Sequence, residues 1–239
     1  MSLITVIIPC YNEQDSLAQS VESVIALHTS WPQMEILIVD DGSTDQSAAI
    51  AKALAEQYPL VRVFAHPVNR GKGAALRTGF HHAAGDIVCI HDADLEYDPR
   101  DLLKMVQLIE ENRADVVFGS RFTSGGAVRV LYFRHSLANK ALTFISNIFT
   151  DLNMSDIECC YKVFRADLLR RIATRENRFG IEPELIAKCA RLREGGHKIR
   201  ICEVGVSYYG RTYNEGKKIG VLDGLRALWA IVKYNFPSS

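Results

Sequence analysis

The stretch Ile87-Val88-Cys89-Ile90-His91-Asp92-Ala93-Asp94 places two carboxylates directly after a short apolar run. A continuous run of this kind, rich in Val and Ile, is typical of a strand buried in a parallel sheet. Asp92 and Asp94 would then lie at the carboxyl end of the strand, the edge at which open parallel sheets bind their ligands. The stretch therefore predicts a fold and the position of a site within it.

The first 120 residues repeat this arrangement. The other predicted strands are Ile4–Pro9, Glu35–Asp40, Val61–Ala65 and Asp115–Gly119, and the predicted helices are Ser16–Leu27, Gln46–Gln57, Gly73–Ala83 and Asp101–Asn112. Apolar residues recur about every 3.6 positions in the helices and are continuous in the strands. The alternation predicts an α/β fold with a doubly wound, mostly parallel central sheet flanked by helices.

The pattern changes after Arg121. The predicted elements are a loop over Phe122–Val130, a helix over Ser136–Phe149, a strand over Glu158–Phe164, a helix over Pro183–Arg193, a strand over Ile199–Ser207, a loop over Tyr209–Gly220 and a helix over Val221–Tyr234. No Pro/Ser-rich linker and no internal repeat separates the two halves. We therefore expect a single domain over residues 1–239, whose second half elaborates the first.

The composition is that of a compact globular protein. Of 239 residues, 48% are hydrophobic and 23% are charged, which excludes disordered, collagen-like and low-complexity classes. No apolar run approaches the roughly 20 residues of a membrane span, and the N-terminus lacks the features of a signal peptide, so we expect a cytoplasmic protein. The six cysteines form no CxxC pair, which favours reduced core thiols over a disulfide or zinc site.

The formal net charge is zero but is unevenly distributed. Residues 1–100 contain 6 Lys+Arg and 13 Asp+Glu, a net −7, and residues 101–239 contain 22 and 15, a net +7. Chance patterning of the surface is one explanation. The other is that the first half binds its ligand through a cation and the second half binds an anion directly.

Polar motifs follow four of the predicted strands, namely Pro9-Cys10-Tyr11-Asn12-Glu13, Asp40-Asp41-Gly42-Ser43-Thr44-Asp45, Asn69-Arg70-Gly71-Lys72-Gly73 and Asp92-Ala93-Asp94. Carboxylates gathered at one edge repel one another unless they bind a cation or a neutral hydrogen-bonding ligand. Mg²⁺ and Mn²⁺ prefer such oxygen ligands and keep coordination positions open for diphosphate oxygens. An isolated DxD is usually a solvated turn, but at the end of a central strand it favours a metal site.

Two common nucleotide motifs do not fit. Gly71-Lys72-Gly73 is followed by Gly79 rather than by a glycine three residues later, and no glycine fingerprint follows the first strand. A Walker P-loop is also absent from the sequence. A nicotinamide dehydrogenase and a P-loop kinase are therefore disfavoured.

Taken together, the four motifs, followed by Asp98-Pro99, resemble the inverting glycosyltransferase family 2, which has the GT-A nucleotide-sugar-binding fold. The resemblance covers about residues 3–210. Gly119-Ser120-Arg121 and the segment 156–165 are similar to dolichyl- or polyprenyl-phosphate sugar transferases. The resemblance implies that residues 1–120 bind a UDP- or GDP-linked sugar with Mg²⁺ or Mn²⁺, that residues 121–239 bind a polyprenyl phosphate, and that nucleic acid is not a partner.

The resemblance also implies roles for individual residues. Those expected to bind the nucleotide sugar are Pro9, Tyr11, Glu13, Asp40, Gly42, Gly71, Lys72, Asp92, Ala93, Arg211 and Lys217. Asp92 and Asp94 would ligate the metal, and Glu96, which replaces a frequent Gln, is a candidate third ligand. Asp94, Arg121 and Arg134 are the expected catalytic residues, since guanidinium groups pair bidentately with phosphate.

Alternatives remain open for several of these residues. Arg121 and Arg134 could be ordinary surface arginines, and the basic loop with Arg211 and Lys217 could simply be solvated. Ser136 and Asn139 could complete an anion site near Arg134, although a structural role fits Asn139 better.

The acceptor is also open. A hydroxyl acceptor would need a general base, for which Asp156, Glu158, Glu182 and Glu184 are candidates. A regulatory module that binds a nucleotide sugar without turnover is a further alternative. In the last helix several apolar residues, among them Leu225 and Trp229, share one face, which allows peripheral membrane contact but equally a helix packed on the core or at a dimer contact.

Overall fold

A computed structural model describes residues 2–123, 127–129, 132–211 and 221–236, without the side chains of residues 221–223. A seven-stranded sheet forms its centre. The strands are β1 (Ile4–Cys10), β2 (Met34–Asp40), β3 (Val61–Ala65), β4 (Ile87–Ile90), β5 (Val116–Ser120) and β6 (Lys162–Arg165), then β7 (Arg193–Glu194) and β8 (His197–Lys198), which pair separately, and β9 (Ile201–Gly205). The order across the large sheet is β3-β2-β1-β4-β6-β5-β9.

Among the described strands of the large sheet, β6 alone runs against the others. It is antiparallel to both β4 and β5, whereas all the other pairings are parallel. In the register, Ile90 at the end of β4 faces Lys162 at the start of β6. The segment that precedes β6 therefore reaches the edge at which the other strands end.

Helices cover both faces of the sheet. One hydrophobic core lies under α1 (Leu17–Ile25), α2 (Ser47–Gln57) and α4 (Asp101–Glu110), and the other lies under α3 (Lys72–His82), α5 (Phe133–Thr150), α6 (Ala166–Leu169), α7 (Ile181–Arg191) and α8 (Val221–Asn235). Val6 and Ile8 of β1 enter the first core and Ile7 enters the second. Gly79 allows α3 to approach β1 closely, because a Cβ there would lie 2.4 Å from a methyl carbon of Ile7.

The strands and helices predicted in the first 120 residues are confirmed, with small differences at their ends. The differences lie in the second half. The predicted strand Glu158–Phe164 is wrong in its first part, because Glu158 lies in a turn and the strand begins at Lys162. The reversed direction of β6, the short α6 and the β7–β8 pair were not predicted. Residues 124–126 and 130 of the predicted loop 122–130, and residues 212–220 of the predicted loop 209–220, lie outside the described residues.

All six cysteines are free thiols, and Cys10, Cys89, Cys159 and Cys189 are buried, in agreement with the core positions predicted for them. Among the described helices, none combines the length and the hydropathy that a membrane span requires.

Candidate active site

A cavity of about 500 Å³ opens at the carboxyl edge of the sheet. The predicted site residues that line it are Pro9, Tyr11, Glu13, Gly71, Lys72, Asp92, Ala93, Asp94, Glu96, Arg121 and Arg211. Most of the lining carboxylates come from the first half of the chain. Arg121, Arg178, Arg211 and Arg226 come from the second half. The acidic and basic halves of the sequence therefore meet at this cavity.

Lys72, the first residue of α3, holds two carboxylates at the wall of the cavity. Its Nζ lies 3.0 Å from Asp92 Oδ1 and 3.2 Å from Glu182 Oε1, and it donates to the Sγ of Cys160 at 2.9 Å. Burial opposes the ammonium charge, but Asp92, Cys160 and Glu182 outweigh it and raise the pKa of Lys72. Burial likewise opposes the charge of Asp92, and Lys72 nevertheless lowers the pKa of that carboxyl. The pair is therefore charged at neutral pH.

Arg211 gathers three further carboxylates. Its guanidinium lies 3.1 and 3.2 Å from the two carboxylate oxygens of Glu13 and 3.2 Å from Asp94 Oδ2, and its backbone N–H donates to Glu96 at 2.8 Å. Burial, with the charges of Asp92 and Glu96, raises the pKa of Asp94 to about 7, against the opposing effect of Arg211. Negative charge at Asp94 is thus incompletely balanced by the protein, and a bound cation would relieve it.

The donor set fits a hard divalent cation that is shared with a phosphate ligand. Across the described residues, no three His, Cys, Asp or Glu side chains are grouped to hold an ion by themselves. Mg²⁺ usually takes one or two carboxylates together with substrate phosphates, and Asp92 and Asp94 supply that number. Glu96 is already engaged, because it accepts hydrogen bonds from the Tyr208 hydroxyl and from the backbone of Arg211.

Asp41 shapes the loop that leads into α3, a role that the sequence analysis missed. Its carboxylate accepts the backbone N–H groups of Arg70 at 3.0 Å and Gly71 at 2.6 Å and the side-chain amide of Asn69 at 2.9 Å. It also lies 2.6 Å from Nδ1 of His66. Four partners on one buried carboxylate fix the backbone of this loop and with it the position of Lys72. The polar run Asn69-Arg70-Gly71 after β3 was the available signal.

Gly71 is required by the backbone of this loop. Its φ is 99°, a region that favours glycine, and a Cβ would lie 2.3 Å from the carbonyl oxygen of Asn177. The segment before α7 can therefore pack directly on the start of α3.

Asp40 and Gly42 lie outside the lining of the cavity. The Oδ1 of the buried Asp40 has no hydrogen-bond partner within the described chain, and its Oδ2 accepts the N–H of Ser43 at 3.3 Å. Because buried polar atoms are normally paired, the free oxygen suits the predicted hydrogen bond to a base or ribose. The backbone requires glycine at position 42, since its φ is 71° and a Cβ would lie 2.5 Å from the backbone of Val68.

Arg121 lines the cavity in a fixed orientation. Its Nε and Nη2 lie 2.7 and 2.9 Å from the two oxygens of the buried Asp156, which also accepts a hydrogen bond from Asn139 at 2.8 Å. The guanidinium carbon lies 5.1 Å from the centre of the Tyr208 ring. None of its contacts within the described residues uses Nη1, so one donor group is left for a ligand. Asn139, which donates to Asp156, therefore has a structural role, as the sequence analysis favoured.

The structure does not bring Arg134 into the cavity beside Arg121. Arg134 is exposed on the first turn of α5. Lys217 lies outside the described residues, as does the rest of the basic loop after Arg211.

The four carboxylates considered as general bases differ in what they contact. Asp156 and Glu182 are ion-paired, and Glu184 accepts two backbone N–H groups. Glu158 lines the cavity, and its buried Oε1 has no hydrogen-bond partner in the part of the chain described. Burial, followed by the charge of Glu182, raises the pKa of Glu158 to about 8. The sequence analysis had placed Glu158 in a strand, whereas in the structure it lies in a turn.

A buried network fixes the backbone at Asp92. The His91 ring lies between Ser20 Oγ, 3.0 Å from Nε2, and the Tyr161 hydroxyl, 2.7 Å from Nδ1. Ser20 also donates to the carbonyl of Asp92 at 3.2 Å. Burial lowers the pKa of His91 to about 4, so the imidazole is neutral at physiological pH. Sequence reasoning had assigned His91 only to a strand.

The fold is also found in solved structures. Glucosyl-3-phosphoglycerate synthase from Mycobacterium tuberculosis, in complex with Mn²⁺, UDP and phosphoglyceric acid, superposes with a TM-score of 0.73 at 21% identity, over 100% of this chain and 80% of that one. The chain therefore has the GT-A fold expected from the sequence.

Two relatives are more similar in sequence. An undecaprenyl-phosphate 4-deoxy-4-formamido-L-arabinose transferase of Edwardsiella ictaluri is 32% identical over 220 residues, which cover 91% of this chain and 63% of the relative, so the chain spans less than two thirds of that protein. An undecaprenyl-phosphate mannosyltransferase of Micrococcus luteus is 30% identical over 224 residues, or 91% of this chain and 88% of the relative. The family model for Glycosyl transferase family 2 matches residues 5–173. On this match and these identities, the chain belongs to glycosyl transferase family 2.

Proposed function

We propose that this chain transfers a sugar from a UDP- or GDP-linked donor to a polyprenyl phosphate, with inversion at the anomeric carbon. The observation that carries the proposal is the cavity in which Asp92, Asp94 and Lys72 meet Arg211 and Arg121. Family membership supports sugar transfer, and the names of the Edwardsiella and Micrococcus relatives support an undecaprenyl-phosphate type of acceptor.

The donor side of the cavity would bind the nucleotide and its diphosphate. The residues assigned to the nucleoside are Pro9, Tyr11, Glu13, Asp40, Gly42, Gly71 and Ala93. Lys72 and Arg211 would neutralise the diphosphate, and Arg211 would exchange part of its contacts with Glu13 and Asp94 for phosphate oxygens. The unpaired oxygen of Asp40 supports this assignment.

Asp94 and Asp92 would hold Mg²⁺ or Mn²⁺ together with the diphosphate. When bound, the ion supplies positive charge that stabilises the departing nucleoside diphosphate. Mn²⁺ and UDP in the Mycobacterium synthase complex support a divalent ion in this fold.

The acceptor side would position a phosphate monoester. Its second pKa is about 6, so it is largely a dianion at neutral pH and needs positioning more than deprotonation. A phosphate oxygen forms the new bond to the anomeric carbon from one side, while the bond from that carbon to the diphosphate oxygen breaks on the other. Arg121, already oriented by Asp156, would direct its free Nη1 at this phosphate.

A hydroxyl acceptor is the second candidate, and Glu158 is the observation that favours it. A cavity-lining carboxyl with a pKa of about 8 and an unpaired oxygen has the properties of a general base.

A transfer assay separates these candidates. The chain, with Mn²⁺ and a panel of UDP- and GDP-hexoses, should glycosylate undecaprenyl phosphate and should leave undecaprenol unmodified. Transfer to the alcohol alone would overturn the phosphate acceptor, and binding of a nucleotide sugar without transfer to either acceptor would indicate a regulatory module.

Weakening the proposed acceptor arginine, Arg121, should affect the acceptor selectively. Loss of a charge-assisted phosphate contact costs about 1.5 to 3 kcal/mol, so Arg121→Lys should raise acceptor KM roughly ten- to hundredfold. Lysine is used at Arg121 because alanine would leave the buried Asp156 uncompensated. Steady-state kinetics with varied undecaprenyl phosphate, and donor hydrolysis measured without it, check this result.

The control is Arg100→Lys, which alters an arginine whose side chain is 79% exposed and paired with Asp98. It should leave the acceptor KM and the rate of donor hydrolysis unchanged. If Arg121→Lys loses donor affinity and keeps acceptor KM, the acceptor assignment is wrong.

Two neighbouring helices and the residue after the second present an apolar face, formed by Phe133, Leu137, Phe144 and Ile148 of α5, by Leu225 and Trp229 of α8 and by Phe236 just after α8. These side chains are between 55% and 78% exposed. Within each helix, spacings of four and seven residues place these side chains on one side. Phe149 packs edge-on against Phe236 at 5.2 Å and joins the two helices. We assign this apolar face to peripheral contact with an anionic membrane, next to Arg134.

Vesicle sedimentation tests the apolar face. We expect weak, salt-sensitive binding to phosphatidylglycerol vesicles, because buried apolar area and basic residues both contribute to interfacial binding. The double variant Leu225→Gln, Trp229→Gln should lose this binding and remain folded. Val68→Gln, which changes a 63% exposed residue on another surface, should bind like the wild type. No pelleting of the wild type at low salt would contradict the assignment and favour a hydroxyl acceptor.

A further inference from the structure

Glu158 is a half-buried residue with a buried, unpaired Oε1, and the proposed transfer to a phosphate acceptor does not use it. It lies in the turn before β6, and the reversed direction of that strand brings the turn to the edge at which β4 ends, just before Asp92 and Asp94. Two residues further on, Cys160 contacts Lys72. The turn therefore forms the wall of the cavity next to the proposed diphosphate site.

Two charged residues act on Glu158 in opposite directions. Burial raises the pKa of Glu158, the charge of Glu182 raises it further and the charge of Arg121 lowers it. Glu182 is bound to Lys72 on the proposed donor side, and Arg121 belongs to the proposed acceptor side. Glu158 lines the same cavity as Lys72 and Arg121, so it shares that cavity with both the proposed donor side and the proposed acceptor side.

Two buried carboxylate oxygens are left without partners here. Oε1 of Glu158 and Oε2 of Glu182 have no hydrogen-bond partner among the described residues. Unpaired buried oxygens are rare in proteins and indicate an acceptor that a ligand or water completes. A phosphate would be repelled by the carboxylates of Glu182 and Asp92. A hydroxyl group is neutral and can donate its hydrogen, and a nucleotide sugar carries hydroxyls next to its diphosphate.

We propose that Glu158 accepts a hydrogen bond from a hydroxyl of the transferred sugar and so determines which sugars the enzyme accepts. This inference rests on the proposed nucleotide-sugar donor and names a residue that contacts its sugar. A site that is built to bind a hydroxyl discriminates strongly against an analogue without it, because the protein group is then left unpaired.

The experiment compares binding with and without the sugar, in the full chain with Mn²⁺. Titration calorimetry with UDP and UDP-glucose, and with GDP and GDP-mannose, identifies the pair that the wild type binds. Glu158→Ala should weaken binding of the nucleotide hexose roughly 10- to 100-fold and should change the affinity for the free nucleotide by less than about twofold. Glu158→Gln keeps an oxygen acceptor and should stay within a fewfold of the wild type.

Monodeoxy analogues of the bound nucleotide hexose sharpen the test. The wild type should bind one monodeoxy analogue at least 10-fold more weakly than the unmodified nucleotide hexose. Glu158→Ala should bind that analogue and the unmodified nucleotide hexose with equal affinity. The matched control is Glu203→Gln, since Glu203 supports the same segment by accepting the N–H groups of Ser155 and Asp156. It should keep the discrimination of the wild type.

Distinct results would overturn the inference. Equal losses for nucleotide and nucleotide hexose in Glu158→Ala, or the same loss of discrimination in Glu203→Gln, would mark Glu158 as structural. A large fall in kcat for Glu158→Gln with unchanged binding would make it a general base. If the wild type binds none of the four probes, the proposed donor and the inference both fail. If the wild type binds a probe normally and a Glu158 or Glu203 variant gives one of the contrary results above, only the inference fails.

Discussion

Replacing Asp94 with Asn should lower turnover by about 100- to 1,000-fold, the usual effect of removing one electrostatic contact to a developing charge. Asparagine keeps the shape of the side chain but cannot supply the charge that holds a divalent ion beside the diphosphate. Donor binding should also lose its dependence on Mn²⁺. Initial rates and calorimetry of the nucleotide sugar, with and without the metal, measure both effects.

The same substitution should not unfold the protein. Burial and the charges of Asp92 and Glu96 raise the pKa of Asp94 to about 7 in the folded chain, above the value of 3.8 for an ordinary Asp. A raised carboxyl pKa means that folding disfavours the charge, so this group reduces stability as the pH rises from about 4 to 7. Asparagine removes that unfavourable charge, and Tm of the ligand-free variant at pH 7 should equal or exceed that of the wild type.

Asp167→Asn is the control, because Asp167 forms a surface ion pair at 55% exposure. It should change neither turnover nor metal dependence. Full activity of the wild type in excess EDTA, or of Asp94→Asn with Mn²⁺, would refute a metal held by Asp94.

The parts of the site that sequence predicts well are those set by local pattern. Asp92, Asp94 and Lys72 each lie at the end of a buried strand or the start of a helix, and parallel strands bring such positions to one edge. Apolar periodicity was enough to place these elements. In the structure, the side chains of Asp92, Asp94 and Lys72 line one cavity at that edge.

The missed features depend on contacts between distant residues. Asp41 is adjacent to Asp40 in the motif, but its partners Asn69 to Gly71 follow a different strand. Asp156, a candidate base by sequence, is the partner of Arg121 35 residues earlier. Local propensity does not report such pairings, because either carboxylate could equally well have faced solvent.

The direction of β6 had the largest consequence for the site. A run such as Lys162–Arg165 has the same pattern in a parallel or an antiparallel strand, so periodicity does not reveal its direction. Only the antiparallel placement between β4 and β5 brings Glu158 and Cys160 to the carboxyl edge. The part of the cavity wall formed by Glu158 and Cys160 could therefore not be predicted from the sequence.

Replacing Lys72 with Met should destabilise the protein by about 3 to 5 kcal/mol, because it leaves the carboxylates of Asp92 and Glu182 buried without their cation. The side chains of Lys72, Asp92 and Glu182 are only 12%, 14% and 5% exposed, so water cannot replace the lost ammonium group. At the size of this chain the loss corresponds to a fall in Tm of roughly 6 to 20 °C. Thermal unfolding measured by circular dichroism gives the value directly.

The matched control is Lys52→Met. The pair Lys52–Glu56 has a separation of 3.9 Å, and its side chains are 79% and 70% exposed, so its removal should cost less than about 1 kcal/mol. A second variant, Lys72→Met with Glu182→Gln, removes one of the orphaned charges. It should recover part of the lost stability, with a coupling of about 0.5 to 3 kcal/mol between the two sites.

The pH dependence gives an independent check on the Lys72 prediction. The pKa of Lys72 is raised above 10.5, so its contribution is complete below about pH 10.5 and is lost as the pH rises through the higher folded value. The pKa of Asp92 is lowered below 3.8, so its contribution is present above about pH 4 and is lost as the pH falls through the folded value. Both groups are charged between these limits, and the difference in unfolding free energy between wild type and Lys72→Met should be greatest there and smaller below pH 4. A difference that stays constant down to pH 3 would show that lost packing of the lysine chain, and not the uncompensated carboxylates, destabilises the variant.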